Sequence, residues 1–367
     1  MTPKNWREVK LGEICEFAYG KSLPADARSG SGFPVFGSNG QVGFHREALT
    51  AGETIIVGRK GSFGEVHFSP GPCSPIDTTY YITEKQTNAY LPWLARRLRC
   101  LGLDRLNRAA AIPGLNRADA YRQRLLLPPL PEQKRIAGFL DAAEALRAKR
   151  REALAQLDTL LQSTFLDMFG DPVTNPNIPS GVMTELVTKF IDYRGKSPEK
   201  CGAGIPLITA KIVKGMEVKE PEEFIPNEIY DAWMRRGIPS PGDVIITTEA
   251  PMGEVALVPS YKAAYAQRLL VLQPDKTKAQ SIYLMWALTM PFVIQQLRQR
   301  STGSTVTGIR SKEFKKVRVP LPPLELQHRF AAIVESVERQ KDRMRAHLAE
   351  LDALFASLQS RAFSGTL

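Results

Sequence analysis

The residues able to do chemistry in this chain are mostly hydrogen-bonding side chains set in Gly-rich stretches. In the first half they are Ser38 and Asn39, then Arg59, Lys60 and Ser62 between Gly58 and Phe63, then the stretch from Asn107 and Arg108 to Asn116 and Arg117. In the second half they are Thr247, Thr248 and Glu249, then Gln267 and Arg268, then the run holding Arg300, Thr302, Ser304 and Thr305, and finally Arg310 and Lys312. A guanidinium matches the acceptor edge of guanine, an Asn or Gln amide matches adenine, and a Glu carboxylate can accept from cytosine. Ser, Thr and Lys suit phosphates. Neighbouring glycines let backbone approach such partners closely. Taken singly, each residue also fits an ordinary solvated loop. As a set they fit contact with double-stranded DNA.

No comparable constellation for bond-making emerges. Gly-Lys-Ser occurs at 20–22 and again at 195–197. A phosphate-binding loop needs a glycine five residues before its second glycine; Cys15 and Phe190 stand there instead, so both runs read as turns. No Asn-Pro-Pro-aromatic or Asp-Pro-Pro-aromatic tetrad marks an adenine methyltransferase. Glu217-Val218-Lys219 offers only half of a nuclease carboxylate pattern. His45, His67, His328 and His347 do not cluster in sequence, and Cys15, Cys73, Cys100 and Cys201 show no C-x-x-C spacing. Zinc ribbons and a disulfide framework are therefore disfavoured, and a reducing, cytoplasmic setting is expected. No apolar run reaches the about 18–20 residues of a membrane span, and residues 1–6 lack the apolar core of a secretory leader. The expectation is no catalytic residue, no metal and no membrane partner. A site assembled from residues distant in sequence is the alternative that spacing leaves open.

The elements that position these loops come in two copies. Residues 114–169 match 308–363 at a constant offset of 194, without a gap. Pro128-Pro129-Leu130 meets Pro322-Pro323-Leu324; Gln133, Arg135 and Ala137 meet Gln327, Arg329 and Ala331; Phe169 meets Phe363. Upstream, Gly52–Ile56 echoes Gly242–Ile246, and Gly64-Glu65-Val66 echoes Gly253-Glu254-Val255. Charge follows the same partition. The 367 residues carry 49 basic and 38 acidic side chains, net +11. Residues 1–128 hold 17 basic and 11 acidic residues and 171–321 hold 20 and 15, whereas 129–170 and 322–367 each hold six of both. The positive excess lies wholly in the two segments that carry the polar loops, as an electrostatic partner for phosphates requires.

After each Pro-Pro-Leu the pattern turns helical. Steps of four and three run through Phe330, Val334, Val337, Lys341, Met344, Leu348, Leu351, Phe355 and Leu358, and through Ile136, Leu140, Ala143, Arg147, Arg150, Leu154, Leu157, Leu161 and Thr164. Each is a heptad seam. Pro131 and Glu132 suit a helix start; Gly170 and Gly365 suit the stops. A helix over 133–168 would be about 54 Å long, and its matching copy is the economical partner, in an antiparallel coiled coil that relates the halves by a pseudo-twofold. Arg147, Arg150 and Lys341 interrupt the seam, either to limit register slippage or to dock another subunit.

The remaining segments mix short strands with Gly/Pro/Asn/Ser punctuation. Thr54–Val57, Glu65–Phe68, Thr79–Ile82, Val244–Thr247, Val255–Val258 and Leu269–Leu272 read as strands, and Tyr90–Leu98 and Ser281–Leu288 as helices. The expected fold class is α+β: two domains with curved sheets at 1–128 and 171–321, separated by long helices at 129–170 and 322–367.

With these residues laid out, the chain resembles the specificity (S) subunits of type I restriction-modification systems. The signature is Leu-Pro-Pro-Leu-Pro-Glu-Gln-Lys-Arg-Ile-Ala at 127–137 followed by the long helix, repeated as Leu-Pro-Pro-Leu-Glu-Leu-Gln-His-Arg-Phe-Ala at 321–331, with Leu326 departing from Glu132. The glycine-rich segments at 61–66 and 249–255 also look like that family's target recognition domains. The resemblance implies two such domains, each reading one half of a gapped DNA target. It implies helices that set the spacing and dock two methyltransferase (M) subunits, and further restriction/translocase (R) subunits. S-adenosylmethionine, ATP and Mg²⁺ would serve those partners, with no cofactor bound by this chain. Two other classes compete: a standalone nuclease or DNA-modification enzyme with a dispersed site, and a coiled-coil scaffold for protein partners.

Overall fold

The computed structural model describes residues 5–106, 114–175, 177–193, 197–303 and 307–367. The chain divides into two compact units, Met1–Arg151 with Ala346–Leu367, and Glu152–Arg345. These units cut across the four segments expected above, because each takes part of both long helices.

Unit 1 contains β1 (Arg7–Lys10), β2 (Ala18–Tyr19), β3 (Phe33–Gly37), β4 (Gly40–His45), β5 (Thr54–Gly58), β6 (Val66–Ser69), β7 (Ser74–Pro75), β8 (Thr79–Ile82), α1 (Leu91–Arg99), α2 (Arg117–Tyr121) and β9 (Arg124–Leu127), then the start of α3 (Leu130–Phe169). Its main sheet runs β2-β8-β5-β6, all antiparallel. A second sheet runs β4-β3-β7, with β3 and β7 parallel. β1 pairs with β9 and so returns the chain to the start of the long helix.

Unit 2 contains β10 (Ser180–Val182), α4 (Met183–Leu186), β11 (Val187–Asp192), β12 (Ile205–Ile208), β13 (Val213–Lys214), β14 (Glu217–Val218), β15 (Phe224–Ile225), α5 (Tyr230–Trp233), β16 (Val244–Thr247), β17 (Val255–Leu257), β18 (Ala264–Tyr265), β19 (Leu269–Pro274), α6 (Ser281–Thr289), α7 (Pro291–Arg300), α8 (Ser311–Phe314), β20 (Arg318–Pro320) and the start of α9 (Leu324–Ser364). The topology repeats: β11-β19-β16-β17 matches the main sheet, β15-β12-β18 matches the mixed one, and β10 pairs with β20 as β1 does with β9. The β13–β14 hairpin has no counterpart among the described strands of unit 1. All six expected strands and both short helices are present; Thr79–Ile82 and Val244–Thr247 match at both ends, and the other elements differ by one or two residues at an end.

The seams are buried as their period requires. Every seam position on both helices is buried or half-buried. In unit 1, Ile136 and Leu140 of α3 join Ala362 and Phe363 of α9 in one core with Trp93, Leu94 and Leu98. In unit 2, Leu161, Phe165 and Phe169 join Phe330 and Val334 in a core with Tyr283 and Leu284. The pairing is antiparallel within each unit, as its ion pairs show. Arg147 meets Asp352 at 2.5 Å in unit 1, and Lys341 meets Asp158 at 2.7 Å in unit 2. By the 194-residue offset these are the same pair with the partners exchanged. The polar seam residues are therefore held by in-chain partners: Arg147 also lies 4.4 Å from the Phe355 ring centroid, and Lys341 is 6 % exposed with a second contact to Glu338. Gly170 and Gly365 close the helices at φ +74° and +76°, a left-handed conformation that favours glycine.

The repeated Gln of the Pro-Pro-Leu motif ties each helix to its domain. Gln133 Oε1 accepts from the Tyr90 N–H at 2.8 Å, at the N-terminus of α1, while its Nε2 donates to the Pro128 carbonyl at 2.9 Å. Gln327 repeats this with the Gln280 N–H and the Pro322 carbonyl, and adds the Lys278 carbonyl, all at 2.9 Å. Both side chains are buried. A buried backbone group left unpaired costs about 1–3 kcal/mol. Gln327→Leu is thus expected to destabilise unit 2 more than Gln133→Leu destabilises unit 1, because it orphans three groups rather than two. Hydrogen exchange of the α6 and α1 amides checks this; unchanged protection in both variants would contradict it.

Candidate nucleic-acid interface

The strand-to-strand turn is built identically in the two units. In unit 1, Gly58 N–H donates to the Glu65 carbonyl and Gly64 N–H donates back to the Gly58 carbonyl, both at 2.8 Å. In unit 2, Thr247 N–H donates to the Glu254 carbonyl at 2.8 Å and Gly253 N–H to the Thr247 carbonyl at 2.9 Å. Beyond the turn, the next residue is pinned on both sides. Arg59 N–H donates to the Thr78 carbonyl and its own carbonyl accepts from Leu115 N–H. Thr248 N–H donates to the Arg268 carbonyl and its carbonyl accepts from Ile309 N–H. Three segments far apart in sequence thus meet at the same place in each unit.

The side chains displayed on this frame differ. In unit 1, Arg59, Lys60, Asn116 and Arg117 line a depression of about 460 Å³ with Tyr19 and Tyr80. The Arg59 and Arg117 guanidinium carbons lie 5.1 and 5.3 Å from the Tyr19 ring centroid, so one half-exposed ring supports two cations. Burial, then the neighbouring Tyr19, pushes the Tyr80 hydroxyl up to about 12, so it stays a neutral donor, bonded to the Leu115 carbonyl at 3.2 Å. Asn116 caps α2 by accepting from Ala118 N–H at 2.8 Å, which leaves its amide nitrogen as a donor.

In unit 2, Thr248, Glu249, Gln267, Arg268, Thr302 and Arg310 line the equivalent depression, of about 280 Å³. Arg268 Nε meets Glu249 Oε1 at 2.6 Å, and Gln267 Nε2 donates to Ser197 Oγ at 3.2 Å. Arg268, directly before β19, holds φ +73°, a left-handed conformation uncommon outside glycine. Unit 1 therefore offers a cationic, donor-rich face, and unit 2 a mixed face with an acceptor.

The other expected residues are placed differently. Ser38 is 7 % exposed and gives its hydroxyl to the Thr78 carbonyl. Thr247 ends β16, is fully buried, and accepts the Glu254 N–H on its hydroxyl. The expectation of solvent-facing loop side chains does not hold for these two; both brace the frame instead. Asn39 is exposed at the tip of the β3–β4 hairpin. Ser62 lines a neighbouring depression with Arg99 and Asp104. Arg300 is half-buried at the end of α7, and Lys312 is exposed on α8; neither lines the unit 2 depression. Arg108, Ser304 and Thr305 lie outside the described residues.

Tyr19 and Tyr80 are the functional candidates that the residue-type search missed. A signal existed, since Tyr19 directly precedes the Gly20-Lys21-Ser22 run. That run leaves β2 as irregular backbone: a Cβ on Gly20 would lie 2.1 Å from the Ile76 carbonyl oxygen, and Lys21 N–H donates to the Pro75 carbonyl; Gly195 and Lys196 of the second run lie outside the described residues. Among the described residues no His, Cys, Asp or Glu group of three could hold a metal ion, and no helix is long and apolar enough to cross a membrane.

The turn glycines give a test of the frame. Gly64 (φ +78°) would place a Cβ 2.2 Å from the Asp104 backbone nitrogen, whereas Gly253 (φ +93°) would place one 3.5 Å from flexible Ile294 and Leu297 side-chain carbons. A left-handed alanine costs about 1–2 kcal/mol, and overpacking adds about 1–3 kcal/mol. Gly64→Ala is expected to lower the thermal unfolding midpoint clearly more than Gly253→Ala; equal losses would contradict the difference in packing.

The model of the type I restriction modification DNA specificity domain matches residues 3–156 and 202–353. The chain is 22 % identical to the type I restriction enzyme EcoDI specificity subunit of Escherichia coli, over all of this chain and 89 % of that one. It is also 22 % identical to the MjaX specificity subunit of Methanocaldococcus jannaschii, over 68 % of this chain but only 61 % of that protein's length. In fold it is similar to the crystal structure of the type I restriction-modification S subunit from M. genitalium, with a TM-score of 0.63, 15 % identity and 99 % of both chains covered. A structure from a study of type I restriction-modification assembly and conformational transition gives 0.61 at 20 % identity over both whole chains. The two matched segments, each carrying one copy of the turn frame and one Pro-Pro-Leu helix, make this chain a member of the type I restriction-modification DNA specificity family, with two recognition domains.

Proposed function

We propose that the chain reads a bipartite, gapped sequence in double-stranded DNA, one half-site per recognition domain, and makes and breaks no covalent bond itself. The observation that carries this reading is one backbone frame presenting two unlike polar sets. Arg59, Lys60, Asn116 and Arg117 stand where Thr248, Glu249, Arg310 and their neighbours stand in the other unit. A shared frame with different side chains is what two readers of different half-sites need: the frame fits the common backbone of the duplex, and the side chains choose the bases. The cationic and mixed faces give asymmetric half-sites.

The helix pair supplies the spacing and the docking surface for two M subunits, with R subunits joining the assembly. Support comes from apolar side chains left exposed outside the seams. Phe139 and Leu354 are 52 % exposed in unit 1; Leu160 and Ile333 are 50 % and 38 % exposed in unit 2. Phe139 matches Ile333 and Leu160 matches Leu354 at the 194-residue offset, so each unit offers an equivalent apolar pair for an equivalent partner. S-adenosylmethionine, ATP and Mg²⁺ belong to the partners in this reading.

Selection from random duplexes by the chain with its M subunit is expected to return a gapped motif; a contiguous motif, or none, would overturn the proposal. Affinity should fall with salt at a log–log slope of about −0.9 per neutralised phosphate. Arg117→Ala should weaken binding about 5- to 100-fold and relax the base preference in one half-site only. Incubation of the chain alone with DNA, Mg²⁺ and S-adenosylmethionine should leave the DNA unchanged, and a product would favour the enzyme reading.

A further inference from the structure

The two units differ at one point where their helices carry the same acids. In unit 1, Arg96 of α1 reaches across to α3 and pairs with Asp141, and with Glu144 at 2.9 Å. The 194-residue offset carries Asp141 and Glu144 onto Glu335 and Glu338 of α9 in unit 2. The matching Gln133 and Gln327 bonds, to Tyr90 N–H and Gln280 N–H, register α1 against α6 and place Arg96 opposite Trp286. Unit 2 thus keeps both carboxylates and lacks the arginine. Glu338 is partly satisfied by Lys341 at 2.6 Å and Arg345 at 3.8 Å; Glu335 has no ion pair among the described residues.

Beside Trp286 and these two carboxylates, unit 2 has a cavity of about 450 Å³, inside the about 300–1,000 Å³ range of ligand sites. Its wall is apolar, with Met216 of the additional β13–β14 hairpin, Leu257, Ile282, Met285, Trp286 and Val334. Its rim carries Asp158, Glu217, Glu335 and Glu338 against one cation, Lys341. Lys341 is already held by Asp158 and Glu338, and Glu217 by Lys219 at 2.5 Å and Arg345 at 3.6 Å. An apolar wall under an acidic rim complements a long side chain with an apolar stem and a cationic head.

We propose that this cavity receives an arginine of a partner protein, flanked by an apolar residue, whose guanidinium takes on Glu335 and Glu338 the place that Arg96 takes on Asp141 and Glu144. The stem and its apolar neighbour lie against Trp286, Met216 and Met285. The corresponding place in unit 1 is filled by the chain's own Arg96, so the contact belongs to unit 2 alone. Reading of DNA is not required for it.

The test uses the full chain labelled with 5-fluorotryptophan, its Trp286 resonance assigned with Trp286→Phe. The probe is acetyl-Ala-Leu-Arg-Ala-amide, with a twin carrying neutral citrulline for arginine. The Trp286 resonance is expected to shift saturably with the arginine peptide and at least about tenfold more weakly with the citrulline twin. Glu335→Gln alters only an exposed side chain and should abolish the difference between the peptides while the spectrum stays that of the folded chain. A Trp286 resonance unmoved by millimolar arginine peptide, moved equally by the twin, or moved unchanged in Glu335→Gln would each overturn the proposal. DNA affinity of Glu335→Gln, expected to equal that of the parent chain, separates this result from the fate of the DNA reading.

Discussion

A long helix with a single apolar stripe has no stable place in water, and this constraint organises both units. The seams of α3 and α9 are buried against each other, and their ends are buried in the domain cores. Packing of an amphipathic face, rather than intrinsic propensity, stabilises such helices. The ends matter most: apart from the buried Lys341, mid-helix seam positions remain half-buried, while Ile136, Leu140, Leu161, Phe330 and Val334 are buried. Each helix end therefore belongs to a recognition domain as much as to its partner helix. The buried Gln133 and Gln327 make that attachment directional, since each bonds at once to its own helix start and to the N-terminus of a domain helix.

On that base, variability is confined to places where it costs little. The turn frame uses backbone hydrogen bonds, which do not depend on side-chain identity, so residues 59–60 and 248–249 can change without altering the fold. Arg59 and Arg117 converge on Tyr19 because the Leu115–Arg59 backbone bond brings their segments together. Like charges placed so close repel each other, and the ring face beneath them offsets part of that repulsion. In unit 2 the Arg268–Glu249 pair neutralises the same region internally. Exposed pairs of this kind contribute little stability.

The equivalence of the units is close in backbone and loose in charge. Arg147–Asp352 and Lys341–Asp158 are one ion pair drawn twice, and Asp141/Glu144 and Glu335/Glu338 are one acidic pair drawn twice. The third group, Arg96 or Trp286, breaks the pattern, and the β13–β14 hairpin that lines the neighbouring cavity occurs in the same unit.

Periodicity and spacing were sufficient for everything that depends on local pattern. The 194-residue repeat, both heptad seams, the glycine stops at 170 and 365, the six strands and the rejection of Gly20-Lys21-Ser22 as a phosphate loop all follow from neighbours in sequence, whose geometry local sterics and burial dictate. Residue type also picked out Arg59, Lys60, Asn116, Arg117, Thr248, Glu249, Gln267, Arg268, Thr302 and Arg310, which the fold gathers into two depressions. It could not show that Ser38 and Thr247 turn inward, that Tyr19 lies beneath two arginines, or that Trp286 stands where Arg96 stands. The first of these rests on the Ser38–Thr78 bond, the second on the meeting of segments about 40 to 100 residues apart and the third on helix packing, while Thr247 bonds within its own turn; no local period encodes which of two similar loops will face the core.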